Sequence, residues 1–269
     1  MLIDAHHHVW RLDRGDYGWL TPDLAIHRDY GLADLRPLLG GIAATVLVQA
    51  APTEAETLFL LETARASGGL VRGVVGWTDL AAPEAPRRVA GLARDPLLKG
   101  LRPMLQDIPE TEWILRPEVQ PALAAMARAG LTLDLLVTPR HLKLLPELAR
   151  RHPDLTAVID HAAKPGIANA ALHPWAEEMA VIAAATRWSC KFSGLVTEAG
   201  AGWTTARLRP FTDHLLATFG PARLLWGSDW PVVNLAGGYA AWRDATMALL
   251  APSTHAAILG ANAAAVYRL

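Results

Sequence analysis

LTLDLLVTPRHLKLLPELARRHPDLTAVIDH, residues 131–161, carries the pattern that decides the fold. LTLDLLV is apolar on both faces apart from Asp134, as a strand covered on both sides must be. TPRHLKLLPELARRHP follows with apolar residues at helical spacing and a proline near each end, which predicts a helix. TAVIDH reads as a second strand. A strand, a helix and a strand within about thirty residues form a βαβ unit whose strands lie parallel.

The same alternation runs through the chain. Strands are predicted at Met1–His6, Ala44–Ala50, Val71–Trp77, Leu97–Arg102, Leu131–Val137, Thr156–His161, Trp188–Phe192 and Arg223–Gly227. Between them lie amphipathic stretches. TEAETLFLLETARASGG opens with a capping box from Thr53 to Glu56 and stops at Gly68, and PEVQPALAAMARAG ends at Gly130. TTARLRPFTDHLLATFG has the same form. Eight such strands, each followed by a helical pattern, predict an α/β fold of the (β/α)8 TIM-barrel class, one domain over residues 1–269. The alternative is an open doubly wound sheet, but no G-x-G-x-x-G opens a helix here. Residues 10–30 read as a long loop after the first strand.

Composition narrows the function. The formal net charge is −1, too small to draw nucleic acid or an anionic membrane. The chain is 52% hydrophobic, yet no apolar stretch reaches the ~20 residues of a membrane span. No basic region followed by a long apolar one opens it. Cys190 is the single cysteine and cannot form an internal disulfide. These features predict a cytoplasmic protein acting on a small molecule. The helices are apolar enough to allow a homodimer.

In a barrel, catalytic groups stand at the C-terminal ends of strands. There the sequence places His6, His7 and His8, then Lys99 and Arg102, then His161 and Lys164, then Asp229. Alternation along a strand turns His6 and His8 one way and His7 the other, and it turns Asp160 away from His161. Paired imidazoles suit one metal ion or one substrate oxygen. A carboxylate at the depth of Asp229 must be paired, metal-bound or perturbed. Trp10, Trp77, Trp230 and Gln49 also fall near strand ends, where indole faces suit a sugar ring. Each has a plain structural reading as well: core histidine, solvated charge, helix cap or loop packing.

The ordered set IDAHHHVW, KGLRPMLQ, VIDHAAKPGI, KFSGL, LLWGSDWPV and ILGANAAAVYRL resembles the amidohydrolase superfamily along the whole chain. It is most similar to the amidohydrolase-related branch that includes sugar-lactone hydrolases of the L-fuconolactonase and L-rhamnonolactonase types. The resemblance implies a lactonase of carbohydrate catabolism acting on an aldono-lactone, with Asp229 as general base and His161 beside it. It makes His6, His8, His161 and Asp229 the ligands of one divalent metal, zinc or manganese. It also leaves room for catalysis without metal, as some lactonase relatives use. Arg102, Lys164, Trp10, Trp77 and Gln49 are then the substrate-binding candidates. The chain departs from the superfamily pattern on strand 5, where Asp134 stands and the usual histidine is missing. Two other readings stay open: a metal-dependent decarboxylase or hydratase of a small unsaturated or aromatic acid, and a barrel that binds a sugar acid without turnover.

Overall fold

The computed structural model describes residues 1–269. Its strands are β1 Leu2–His7, β2 Ile42–Val48, β3 Val71–Gly76, β4 Leu98–Leu101, β5 Thr132–Leu135, β6 Ala157–Ile159, β7 Ser189–Phe192 and β8 Leu224–Trp226. They follow one another round a single sheet in chain order, every neighbouring pair parallel. The ring closes between β8 and β1. His7 bridges Trp230, His8 N donates to Trp230 O at 2.7 Å, and Asp229 N donates to His6 O at 2.8 Å. Gly227 is needed at this seam: a Cβ there would stand 2.6 Å from the His6 Cβ. The architecture is a (β/α)8 barrel, with the strands where the apolar runs predict them.

Two differences from expectation have local causes. Thr53 caps the helix Glu54–Arg65 by accepting from Glu56 N at 3.1 Å, but the Glu56 carboxylate does not complete a capping box. It accepts instead from Ala50 N and Ala51 N, which pulls the chain out of β2 after Val48. The 131–161 unit holds a 3-10 turn, Pro139–Leu144, ahead of the α-helix Leu145–Arg151. Pro146 at the start of that α-helix explains the break, since it has no N–H to continue an α ladder.

The core has two layers. Most apolar burial lies between the strands and the surrounding helices. A smaller cluster, with Ile3, Val46, Val75 and Leu225, fills the barrel interior and includes Ala263 and Tyr267. The C-terminal helix Asn262–Tyr267 therefore plugs the N-terminal end of the barrel. No single helix is long and apolar enough to cross a membrane.

Candidate active site

Ile3 and Ala5 pack with the interior cluster, so strict alternation along β1 would send His7 inward with them. An irregularity in the β1–β2 register between Asp4 and His7 shifts the pattern by one. His7 Nε2 pairs with Thr45 Oγ1 at 2.9 Å, while His6 and His8 turn to the mouth, their Nε2 atoms 3.2 Å apart. Asp229 meets them from the loop after β8. Its Oδ1 lies 3.3 Å from His8 Nε2 and 3.8 Å from both His6 Nε2 and His161 Nε2.

His161 arrives by an unusual route. His161, Ala162, Ala163 and Lys164 have φ of 50°, 51°, 60° and 54°, a run of four non-glycine residues in the left-handed region. Each such residue costs on the order of 1 kcal/mol, so the surroundings must hold the turn in place. The turn ends alternation after β6, and Asp160 and His161 both reach the interior. This corrects the expectation that Asp160 faces away. His161 Nδ1 lies 2.9 Å from Ser193 Oγ, and its ring rests against Gly194. With φ +68° and the His161 ring 2.7 Å from where its Cβ would be, Gly194 admits no larger residue without displacing His161.

Beneath the histidines is a charged network that the sequence reading passed over. Lys191 on β7 is fully buried and donates to Asp134 Oδ2 at 2.6 Å and His6 Nδ1 at 2.9 Å, with Asp160 Oδ1 at 3.0 Å. Tyr267 donates to Asp134 Oδ2 at 2.8 Å from the C-terminal plug. Arg102, 3% exposed, reaches Asp160 Oδ2 at 3.2 Å. The signal was present: Asp134, Asp160 and Lys191 interrupt three adjacent apolar strands, and a buried charge requires a partner.

The other candidates separate. Arg102, Lys164, His8, His161 and Asp229 line a cavity of about 160 Å³ at the mouth. Trp19, Met104, Leu136 and Val232 form its apolar wall and were not anticipated. Gln49 lies behind the wall, fully buried; it donates to Arg102 O at 2.8 Å and so holds Arg102. Trp10 is also fully buried, with its N–H given to Arg28 O at 2.7 Å, and it supports Trp19 edge-on. Trp77 lines a neighbouring cavity and Trp230 packs on Tyr30. Lys99 turns to the opposite end of the barrel and donates to Arg268 O. Cys190 is buried, and burial pushes its thiol up, which leaves no nucleophile there.

Electrostatics assign the protons. Burial opposes ionisation of Asp229, but His161, His8 and Lys164 outweigh it and hold the carboxyl below its ordinary value. Burial pushes His161 down to about 4 against the pull of Asp229. His6 is held well below its ordinary value by burial and by Lys191. Near neutral pH the mouth thus presents one carboxylate beside the neutral imidazoles of His6 and His161. Kinetic pH dependence follows with a definite sign: Asp229, held below the ordinary carboxylate value, stays ionised through neutrality, so kcat/KM is level there. It falls only in acid, as His161 gains its proton at about 4 and Asp229 below the ordinary carboxylate range. A pH–rate profile of the free enzyme checks this; an acid limb near 6.5 would contradict it.

The donor set suits a divalent ion. Ligand atoms of His6, His161 and Asp229 all lie within 4.8 Å of one another. His8 gives its Nδ1 proton to Val48 O at 2.8 Å, which leaves its Nε2 lone pair facing the site, as metal-ligating histidines require. An ammonium at Lys191 donating to His6 Nδ1 leaves the His6 proton on Nε2, so His8, His161 and Asp229 are the better donors.

Comparison with known proteins places the chain in a family. Residues 3–269 match the family model described as amidohydrolase. The chain is 45% identical to an L-fucono-1,5-lactonase of Burkholderia ambifaria, over 99% of this chain and 95% of that protein. It is 35% identical to an L-fucono-1,5-lactonase of Burkholderia multivorans, over 99% and 96%. The crystal structure of an amidohydrolase from Burkholderia multivorans with bound zinc superposes with a TM-score of 0.92 at 35% identity, covering 100% of this chain and 99% of that one. The chain belongs to the amidohydrolase family.

Proposed function

We propose that this protein is a hydrolase that opens a small lactone of a sugar acid, with a 6-deoxy aldono-lactone as the leading substrate. The observation that carries the reading is Asp229, a buried carboxylate kept ionised beside the neutral imidazoles of His6 and His161, in a chain 45% identical to an L-fucono-1,5-lactonase. The apolar wall of Trp19, Met104, Leu136 and Val232 suits a methyl group where an ordinary hexonolactone has a hydroxymethyl.

In this mechanism Asp229 takes a proton from water as the water oxygen attacks the lactone carbonyl carbon. The carbonyl oxygen gains charge and accepts from imidazole N–H groups. Lys191 donating to His6 Nδ1 puts the His6 proton on Nε2. The Ser193 hydroxyl, 2.9 Å from His161 Nδ1, donates to it when His161 carries its proton on Nε2 and accepts from it when His161 Nε2 serves as a ligand. The carbonyl re-forms, the bond to the ring oxygen breaks, and Asp229 returns the proton to that oxygen. The product is a hydroxy acid. Arg102 and Lys164 hold substrate hydroxyls and then the new carboxylate. A divalent ion, zinc or manganese, held by His8, His161 and Asp229, would supply Lewis-acid polarisation of the carbonyl when bound. β5 sends no ligand to the mouth, because Asp134 is committed to Lys191 and Tyr267; this disfavours decarboxylase or hydratase chemistry that relies on a strand-5 histidine. We place the reaction in the cytoplasm, where a single buried thiol stays reduced, and assign it to residues 1–269 as one domain.

The test is proton release from a panel of aldono-1,4- and 1,5-lactones, with chelator-stripped protein and again with zinc or manganese restored. Turnover of a few lactones is expected. No turnover in either state removes the reading, and the ratio between the two states measures what the metal contributes.

A further inference from the structure

Next to the catalytic cavity lies a second one of about 250 Å³, lined by loops that follow β3 and β4. Met104 is common to both, so the two share a wall at the same end of the barrel. The lining includes Trp77, Trp113, Asp79 and Asp107. Of the ten tryptophans, seven donate their indole N–H to an oxygen of the protein. Two of the remaining three, Trp77 and Trp113, are half-buried in this one cavity. Asp79 and Asp107 are exposed and take part in no ion pair, and no lysine or arginine lines the cavity.

We infer that this cavity is a binding subsite for a neutral, polyhydroxylated ring. Indole faces cover the apolar face of such a ring while their free N–H groups donate to its hydroxyls. The two carboxylates accept from other hydroxyls and repel an anion, which separates this ligand from a second sugar acid. Pockets for drug-sized ligands run from about 300 Å³ upward, so this one suits a single ring. Its position beside the reacting cavity fits a second sugar unit carried by the lactone; a free sugar has the same chemistry. The first source rests on the lactone-hydrolysis reading.

Two arms separate the sources. The first compares kcat/KM for lactobiono-, cellobiono- and maltobionolactone with that for the parent monosaccharide lactones. The second titrates tryptophan fluorescence with methyl β-glucoside, which needs no turnover. Wild type is set against Trp77→Ala, Trp113→Ala and Trp113→Phe, each first shown to fold by circular dichroism; the Phe variant keeps an aromatic face and loses only the N–H. The expected result is a preference of about ten-fold for at least one disaccharide lactone, or a saturable fluorescence change, lost in both Ala variants and weakened in Trp113→Phe. A response in the first arm identifies the attached ring, and one in the second alone identifies a free sugar. The inference is overturned if neither arm responds, or if the response survives all three substitutions. Loss of all lactone turnover with the fluorescence response intact would sink the lactonase reading and leave the subsite standing.

Discussion

Asp229→Asn lowers kcat/KM for the lactone substrate by about 10²–10⁴-fold, the range a positioned general base contributes. Asparagine matches aspartate in shape and its amide N–H can donate to the His8 Nε2 lone pair, but it cannot take a proton from water near neutral pH. Its effect falls on kcat. The dissociation constant of the aldonic acid product, measured by calorimetry, moves little, because Arg102 and Lys164 still line the cavity. Activity within a few-fold of wild type would remove Asp229 from the base role, whatever else the site does.

Lys191→Met destabilises the fold by about 3–5 kcal/mol, the usual cost of leaving a buried charge without its partner. For a chain of this size that is a fall in Tm of roughly 6–20 °C. The lysine is fully buried between Asp134 and Asp160, and no solvent reaches either carboxylate to replace it. Burial pushes Asp134 up to about 6 even with the ammonium present, so removing Lys191 favours its protonated form further. A second substitution, Asp134→Asn, then recovers part of the loss, since it removes one stranded charge. Additive losses in a thermal-melt cycle would show that the two residues act independently and would contradict the network.

The barrel was legible because its signal is repeated: apolar runs and amphipathic stretches alternate at regular distance, and each strengthens the assignment of the next. The convergence of His6, His8, His161 and Asp229 was legible for a related reason, since all four follow apolar strands at ends that a barrel gathers to one mouth. What stayed hidden depends on departures from ideal geometry. Alternation gave the right orientation for His8 through the wrong path, because it assumed no irregularity between Asp4 and His7. It failed for Asp160, because four residues with positive φ follow β6 and no glycine marks them. Gln49 and Trp10 were placed near the substrate by their strand ends alone. Both are instead buried behind the cavity, where they hold Arg102 and Trp19. Tyr267 could be assigned no role from sequence, since only the closed barrel brings the C-terminal helix under Asp134.

The most direct test of the central claim is hydrolysis of L-fuconolactone in water enriched in oxygen-18, followed by mass spectrometry of the product. Attack of Asp229-activated water on the carbonyl carbon places one labelled oxygen in the carboxylate, with the ring hydroxyl unlabelled. Label at the ring hydroxyl would mean that the bond broken lies on the other side of the ring oxygen, and an Asp-driven acyl mechanism would be wrong.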